Sequence, residues 1–160
     1  MADPLGTLSW NLGAIARSLN ITEDDTMEYF TDGRRVSFII ERRLAHEVLH
    51  GRLAPSEGAS FDVFDSDDNQ WEVRSITEGS GIYFCPSKMK GSGRHFEERG
   101  FLEKLDEIVG YYVSDIERFP DVPYWSVSSE QVRRWWEERR LGTTTSISRV
   151  RALDLLRRMP

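Results

Sequence analysis

The segment Phe61–Ile76, with the sequence FDVFDSDDNQWEVRSI, constrains the fold of this chain more than any other. It predicts one strand that carries a carboxylate, a polar turn, and a second strand that carries Glu72 and Arg74. Alternate residues of a strand share a face, so Glu72 and Arg74 should point the same way. If the two strands pair as a hairpin, Asp62 lies beside them. Two carboxylates and a cation would then meet at one place on a sheet.

This combination of charges suits the metal-assisted cleavage of a phosphodiester. Carboxylates bind a hard divalent cation through oxygen, and a nearby positive side chain offsets charge that develops on the phosphate. We therefore expect Asp62 and Glu72 to bind Mg²⁺, with the backbone carbonyl of Val73 and waters completing the shell. Arg74 would bind a phosphate oxygen. Because arginine stays protonated, it cannot act as a general base, and Lys88 or Lys90 could supply an amine instead.

The same segment also has a plainer interpretation. Asp65, Asp67 and Asp68 suit a polar turn, and Glu72 with Arg74 could form a salt bridge on a surface strand. Asp65 is also an alternative metal ligand. The two interpretations differ in whether the carboxylates of the hairpin face a cleft or bulk water.

Asp62, followed ten positions later by Glu72-Val73-Arg74, resembles the signature of the PD-(D/E)XK nuclease superfamily, and in particular of its compact type II restriction endonucleases. The chain departs from that signature at Ser60-Phe61, where a proline often precedes the aspartate, and at Arg74, which replaces the lysine. The resemblance implies a restriction-endonuclease-like α/β/α core, with one mixed central sheet flanked by helices. It also implies a Mg²⁺-dependent endonuclease that cuts double-stranded DNA and acts as a homodimer.

Glu41 is a further candidate for the site. The sequence predicts a helix over 36–53 whose apolar stripe comprises Ile40, Leu44, Ala45, Val48 and Leu49, and Glu41 lies within this stripe. A carboxylate on a core-facing stripe needs a partner or a metal ion. The nuclease resemblance gives Glu41 a role in binding a second metal or orienting water. Alternatively, Glu41 lies at the edge of the stripe and pairs with an arginine.

A competing motif lies on the same predicted helix. The residues His46-Glu47-Val48-Leu49-His50 match H-E-x-x-H, in which two histidines one turn apart bind zinc and the glutamate activates water. Arg42 and Arg43 share the face of the histidines, which disfavours a cation and indicates a solvated surface. A third ligand would have to be His95 or Glu57. A zinc metallopeptidase is therefore the alternative function, with a catalytically silent DNA-binding protein as another.

The charge is divided unevenly along the 160 residues, whose net charge is −6. Residues 1–80 hold 7 Lys/Arg and 15 Asp/Glu, whereas residues 81–160 hold 14 and 12. An acidic half with a metal site and a mildly basic half fit a DNA-cleaving enzyme. The candidate DNA contacts are Lys88, Lys90 and Arg94 in a glycine-rich loop, and Arg133 and Arg134 beside two tryptophans. The alternative is a solvated loop, with the tryptophans packed in the core or a dimer interface.

The length predicts a single domain spanning 1–160, organised as an α/β sandwich around one mixed sheet. Helices are expected over 7–20, 36–53 and 96–108, and two more follow caps at Ser128 or Ser129 and at Ser146 or Ser148. Residues 22–33 look acidic and turn-rich, and further strands are expected at 82–84, 111–113 and 124–127. A single cysteine, no signal peptide and no apolar span predict a cytoplasmic protein that does not enter membranes.

Overall fold

The computed structural model describes residues 2–56 and 58–160, and it contains one mixed six-stranded sheet. The strands of this sheet are β1 (Gly6–Ser9), β2 (Arg52–Leu53), β3 (Val63–Phe64), β4 (Gln70–Ile76), β6 (Gly110–Asp115) and β7 (Asp121–Ser128). Their order across the sheet is β1-β7-β6-β4-β3-β2. Among the paired strands of these described residues, β4 and β6 alone run parallel. Two short strands, β5 (Ile82–Tyr83) and β8 (Ser146–Ile147), pair separately.

Helices cover both faces of the sheet. They are α1 (Leu12–Leu19), α2 (Glu23–Phe30), α3 (Gly33–Arg43), α4 (Glu98–Glu107), α5 (Ser129–Glu137) and α6 (Arg149–Arg157). Helices α1–α3 pack around one buried cluster that includes Phe30 and Ile40, and α4–α6 pack around another that includes Phe101 and Trp135. The predicted α/β class, a mixed sheet flanked by helices, is confirmed.

The side chains of β4 point alternately toward the α1–α3 layer and the α4–α6 layer. Val73 joins the cluster beneath α1–α3, whereas Ile76 joins the cluster beneath α4–α6. Because strand side chains alternate, Glu72 and Arg74 share the α4–α6 face with Ile76. This register puts two charged side chains into a buried layer.

The predicted elements are correct in kind over most of the chain, with four differences. Residues 22–33 are not merely turns: α2 forms there, beginning with a capping box in which Thr22 and Asp25 each accept a backbone hydrogen bond. Residues 7–20 contain β1 before α1. The helix predicted over 36–53 starts at Gly33, continues from α3 into a π-helical turn (Leu44–Val48) and ends before β2. Strand β5 lies outside the main sheet.

Ser128 and Ser148 are the caps of α5 and α6, each accepting a hydrogen bond from a backbone N–H three residues later. This agrees with one of the two caps expected for each helix. None of the helices in the described ranges is both apolar enough and long enough to cross a lipid bilayer.

Helix α6 offers a matched test of the packing. Leu156 is 2% exposed in the core, whereas Val150 on the same helix is 74% exposed. We expect Leu156→Ala to lower the free energy of unfolding by about 2–5 kcal/mol and Val150→Ala to change it by less than about 0.5 kcal/mol. Urea unfolding followed by circular dichroism measures both values. Equal effects would mean that α6 does not pack as described.

Candidate active site

The site forms where β3 separates from β4. The backbone N–H of Asp62 donates to the carbonyl of Trp71 at 3.0 Å, as the last rung of the hairpin. One step further along β4, the N–H of Val73 donates instead to the Oδ2 atom of Asp62 at 2.7 Å. A carboxylate thus replaces a strand partner at the open edge of β4. The prediction that a hairpin brings Asp62 beside Glu72 and Arg74 is confirmed.

Glu72 is 5% exposed and lies between two cations. Its Oε1 atom is 2.6 Å from Nη1 of Arg74, and its Oε2 atom is 2.7 Å from Nζ of Lys104, which belongs to α4. The Lys104–Glu72 contact is close enough for an ion pair, but its angles are not those of a hydrogen bond. Among the described residues, Oε2 of Glu72 therefore has no hydrogen-bond donor. Burial strengthens the attraction of Glu72 for both cations, because the local dielectric constant is low.

Arg74 is held by groups of the protein itself. Its guanidinium donates to the backbone carbonyls of Val73, Tyr83 and Cys85 at 3.1–3.3 Å, and it lies 4.7 Å from the centre of the Tyr83 ring. Burial acts to lower the pKa of Arg74, but the carboxylates of Glu72 and Asp62, together with Tyr83 and Tyr111, outweigh burial and raise it. The Val73 carbonyl, an expected metal ligand, accepts a hydrogen bond from Arg74. The phosphate contact expected of Arg74 stays a prediction.

Glu41 and Asp62 carry the strongest electrostatic strain of the site. Burial and the neighbouring carboxylates of Asp62 and Glu72 raise the pKa of Glu41 to about 7, although the cations of Arg42 and Arg74 act to lower it. Burial and Glu72 likewise raise the pKa of Asp62 to about 6, although the N–H of Val73 opposes this. The sequence placed Glu41 on a core-facing stripe, and the structure places it within electrostatic reach of Asp62.

This donor set fits a hard divalent cation. Three carboxylates, of Glu41, Asp62 and Glu72, face two cations, of Arg74 and Lys104, so the site has a surplus of negative charge that is poorly solvated. Within residues 2–56 and 58–160, no three acidic, histidine or cysteine side chains already surround one point as a metal would require. Mg²⁺ commonly uses only one or two carboxylates and keeps several waters. Asp62 and Glu72 could supply such a pair.

Two open grooves meet at Asp62. The α4-side groove, of about 440 Å³, is lined by Asp62, Glu72 and Lys104, together with Lys88 from the glycine-rich loop. The α3-side groove, of about 700 Å³, is lined by Asp62, Glu41 and Arg74. An extended polymer could therefore pass Asp62 from one groove to the other, with the buried charges beneath it.

The cations of the glycine-rich loop differ in their availability. Lys88 is exposed at the α4-side groove. Lys90 donates to the hydroxyl of Ser146 and lies over the Tyr83 ring, at 5.3 Å from its centre. Arg94 donates to the backbone carbonyls of Ser87 and Lys90, and so closes the loop on itself. Of these three expected DNA contacts, Lys88 has the position best suited to meet a ligand in the groove.

The two arginines expected from α5 pair with nearby acids. Arg133 lies 2.6 Å from a carboxylate oxygen of Asp106, and Arg134 lies 3.4 Å from that of Glu130. Trp135, which follows them, is 3% exposed and packs in the core, as the alternative interpretation held. The DNA contacts assigned to Arg133 and Arg134 stay predictions.

The H-E-x-x-H segment lacks the regular turn that such a zinc site uses. His46 lies in the π-helical turn, and His50 follows it with a left-handed backbone (φ 48°). The Nε and Nη2 atoms of Arg43 each donate to one carboxylate oxygen of Glu47 at 2.7 Å. These hydrogen bonds lower the pKa of Glu47. His95 is exposed in a separate loop, and Glu57 lies outside the described residues.

Lys104 is the site residue that the sequence analysis missed. Its signal resembles that of Glu41: Lys104 falls within the apolar stripe of α4, between Phe101 and Leu105 and followed by Ile108. A lysine on such a stripe requires a buried partner. The sequence could not show that this partner is Glu72, more than thirty positions earlier on β4.

A scan against protein-family models and searches of curated proteins and of solved structures gave no match to this chain. The chemistry of the site must therefore be inferred from its own geometry.

The raised pKa of Asp62 predicts how stability depends on pH. A carboxyl group whose pKa is higher in the folded than in the unfolded state stabilises the fold while it is protonated. For Asp62, this stabilisation is present at low pH and is lost as the pH rises from about 4 to about 6. Asp62→Asn keeps an oxygen for the Val73 N–H and removes the charge. We expect Asp62→Asn, without metal, to be more stable than the natural protein by about 1–2 kcal/mol at pH 8.

Near pH 4 the same comparison should show little difference, because the natural Asp62 is then protonated. Thermal melts in EDTA across this pH range measure both values. A variant that is less stable than the natural protein at pH 8 would contradict the assigned strain.

Proposed function

We propose that this protein is a Mg²⁺-dependent endonuclease that hydrolyses phosphodiester bonds of DNA. The observation that carries this proposal is the meeting of Asp62, Glu72 and Lys104 at the open edge of β4. Phosphodiester hydrolysis needs carboxylates that bind a hard cation and a positive group that binds the phosphate. This site offers two carboxylates and one ammonium group beside an open groove. The resemblance of Asp62 and Glu72 to the nuclease signature supports the same conclusion.

Asp62 and Glu72 are the residues that would hold Mg²⁺. When bound there, Mg²⁺ supplies a Lewis acid that polarises the phosphate and lowers the pKa of a coordinated water. Asp62 is oriented by the Val73 N–H, and Glu72 by Arg74, so both carboxylates are fixed before substrate arrives. Fixed ligands reduce the reorganisation that the reaction would otherwise require.

Lys104 takes the electrostatic role that the sequence analysis gave to Arg74. Its ammonium lies at the α4-side groove, where it can donate to a non-bridging oxygen of the scissile phosphate. Arg74 instead acts as a positioning residue, because its guanidinium is bound by three backbone carbonyls and by Glu72. This division explains how an arginine can occupy the lysine position of the nuclease signature.

Glu41 is suited to accept the proton of the attacking water. A general base works best when its pKa lies near the working pH, and the pKa of Glu41 is about 7. Burial and the charges of Asp62 and Glu72 provide this tuning. Glu41 reaches the site from α3, on the side opposite Lys104.

The proposal has four further parts. The substrate is double-stranded DNA, and the protein acts as a homodimer. It serves in restriction-modification and is located in the cytoplasm. Lys88 at the groove would contact the DNA backbone, with Lys90, Arg94, Arg133 and Arg134 as further candidates. A site-specific enzyme of type II would be dimeric, since it must cut both strands of a palindrome. A nuclease-fold DNA binder without catalysis and a zinc peptidase at His46 and His50 remain the alternatives, and the experiments below distinguish them.

The central test is plasmid cleavage. Purified protein with Mg²⁺ should convert supercoiled plasmid to nicked and linear forms, and EDTA should prevent this. Discrete fragments indicate a restriction enzyme, whereas smearing indicates a less specific nuclease. Glu72→Gln, which keeps shape but loses charge, should reduce cleavage by at least about 100-fold. Undiminished cleavage by a folded Glu72→Gln variant would refute the site, and stoichiometric zinc in the protein would favour the peptidase.

A pair of lysines tests the assignment of Lys104. Both Lys104 and Lys88 line the α4-side groove, but only Lys104 contacts Glu72. We expect Lys104→Met to slow single-turnover cleavage by about 100-fold, as the loss of one preorganised donor does, and Lys88→Met to weaken DNA binding with little change in that rate. Saturating protein removes differences in affinity from the measured rate.

Lys104→Arg should recover part of the rate, because it restores a positive charge at the same place. If Lys88→Met proved the more damaging substitution in single turnover, the catalytic amine would belong to the loop and the assignment of Lys104 would be wrong.

A further inference from the structure

Four side chains form a stripe across α2 and α3 that the proposed chemistry does not use. We name Tyr29, Arg35, Phe38 and Arg42 the aromatic–arginine stripe. Tyr29 is 44% exposed and Phe38 is 56% exposed, which is unusual for aromatic rings in a chain with two well-filled cores. Arg35, Phe38 and Arg42 are spaced at three and four residues, so they share one face of α3.

Within the stripe, each ring has a guanidinium over it. The Cζ atom of Arg35 lies 5.0 Å from the centre of the Tyr29 ring, and that of Arg42 lies 3.3 Å from the centre of the Phe38 ring. Arg42 also donates to the backbone carbonyl of Phe38 at 3.1 Å, which fixes its position. The Tyr29 ring also contacts that of Phe30, with the two ring centres 5.3 Å apart, so both rings are held in place while part of each stays exposed.

The stripe ends at the candidate active site. Phe38 and Arg42 line a small groove of about 270 Å³ together with Glu41 and Asp62. The rest of this groove is largely apolar, with Leu53 contributing from β2. A flat, weakly polar group bound on Phe38 would thus lie next to the two carboxylates with raised pKa values.

The chemistry of the stripe fits unpaired nucleotides. Exposed aromatic rings bind nucleobases by stacking, and guanidinium groups bind the intervening phosphates and can stack as well. Bases inside a duplex have their faces occupied by neighbouring pairs, so they cannot use such rings. Arg35 also lies 3.8 Å from a carboxylate oxygen of Asp32, so a phosphate bound at Arg35 would replace this exposed ion pair.

We propose that the aromatic–arginine stripe binds single-stranded nucleic acid and leads it to the site at Asp62. Bases stack on Phe38 and Tyr29, and phosphates pair with Arg35 and Arg42. This inference rests on the proposed function, from which it takes nucleic acid as the class of ligand. It adds to the double-stranded substrate of the proposed function an unpaired segment next to the duplex, which lies on the stripe while the adjoining nucleotides reach Asp62.

The test measures binding without catalysis. Fluorescence anisotropy in EDTA compares a labelled oligothymidylate of about 20 nucleotides with its duplex and with oligouridylate, using the full chain. We expect the single strand to bind more tightly than the duplex. Phe38→Leu keeps an apolar side chain but removes the ring, and it should weaken single-strand binding by about 5- to 100-fold, the effect of losing one stacked base. Phe38→Trp should retain binding.

Leu19→Ala is the matched control, because Leu19 is 54% exposed on α1 and lies outside the stripe. It should change affinity by less than about 2-fold. Arg42→Gln should reduce the slope of log affinity against log salt by about 0.7, the value for one phosphate contact on a single strand. The comparison of the two oligomers decides whether the stripe prefers DNA or RNA.

Three results would overturn the inference: duplex binding at least as tight as single-strand binding, an affinity of Phe38→Leu equal to that of the natural protein, or a change of oligomeric state in Phe38→Leu that leaves oligonucleotide binding intact. The last would show that the stripe is a contact between copies of the chain. Single-strand binding without Mg²⁺-dependent cleavage would refute the proposed function alone. Cleavage of duplex plasmid without single-strand binding would refute only the inference.

Discussion

The buried interaction of Glu72 with Arg74 and Lys104 is the constraint on which the candidate site depends. A carboxylate that is 5% exposed would be strongly destabilising by itself, and two cations at 2.6 and 2.7 Å offset that penalty. One of these cations comes from the same strand and the other from α4. The interaction therefore joins the sheet to the helical layer that covers it, and loss of Glu72 would leave two buried cations without the carboxylate that joins them.

The second determinant is the short pairing of β3 with β4. Only Val63 and Phe64 pair with β4, after which the Asp62 carboxylate takes the hydrogen bond that a longer strand would have taken. A longer β3 would cover the edge of β4 and close the point where the two grooves meet. Regular pairing between β3 and β4 thus ends at the site, where a carboxylate accepts the hydrogen bond of the unpaired backbone N–H.

The two helical layers contribute groups of opposite character. Helix α3 brings Glu41, a carboxylate whose pKa of about 7 suits proton transfer, and α4 brings Lys104, whose charge suits a phosphate. Because Glu41 and Lys104 come from opposite sides of the sheet, neither helix alone could form the site. The same placement brings Glu41 and Asp62 next to the α3 part of the aromatic–arginine stripe, since Phe38 and Arg42 line one groove with them.

The sequence by itself determined the hairpin, the strands β6 and β7 and the unusual position of Glu41, and it limited the cap of each of the last two helices to one of two serines. These features are encoded locally, by alternation along a strand, by a serine before a helix, or by a charge within an apolar stripe. The tertiary structure alone decided that Arg74 is enclosed by backbone carbonyls and that Lys104 meets Glu72. It also decided that the helix bearing His46 widens into a π-turn. Such outcomes depend on distances between residues far apart in the chain, which local periodicity does not specify. For this reason the meeting of Asp62 with Glu72 and Arg74 could be predicted, whereas the pairing of Glu72 with Lys104 could not.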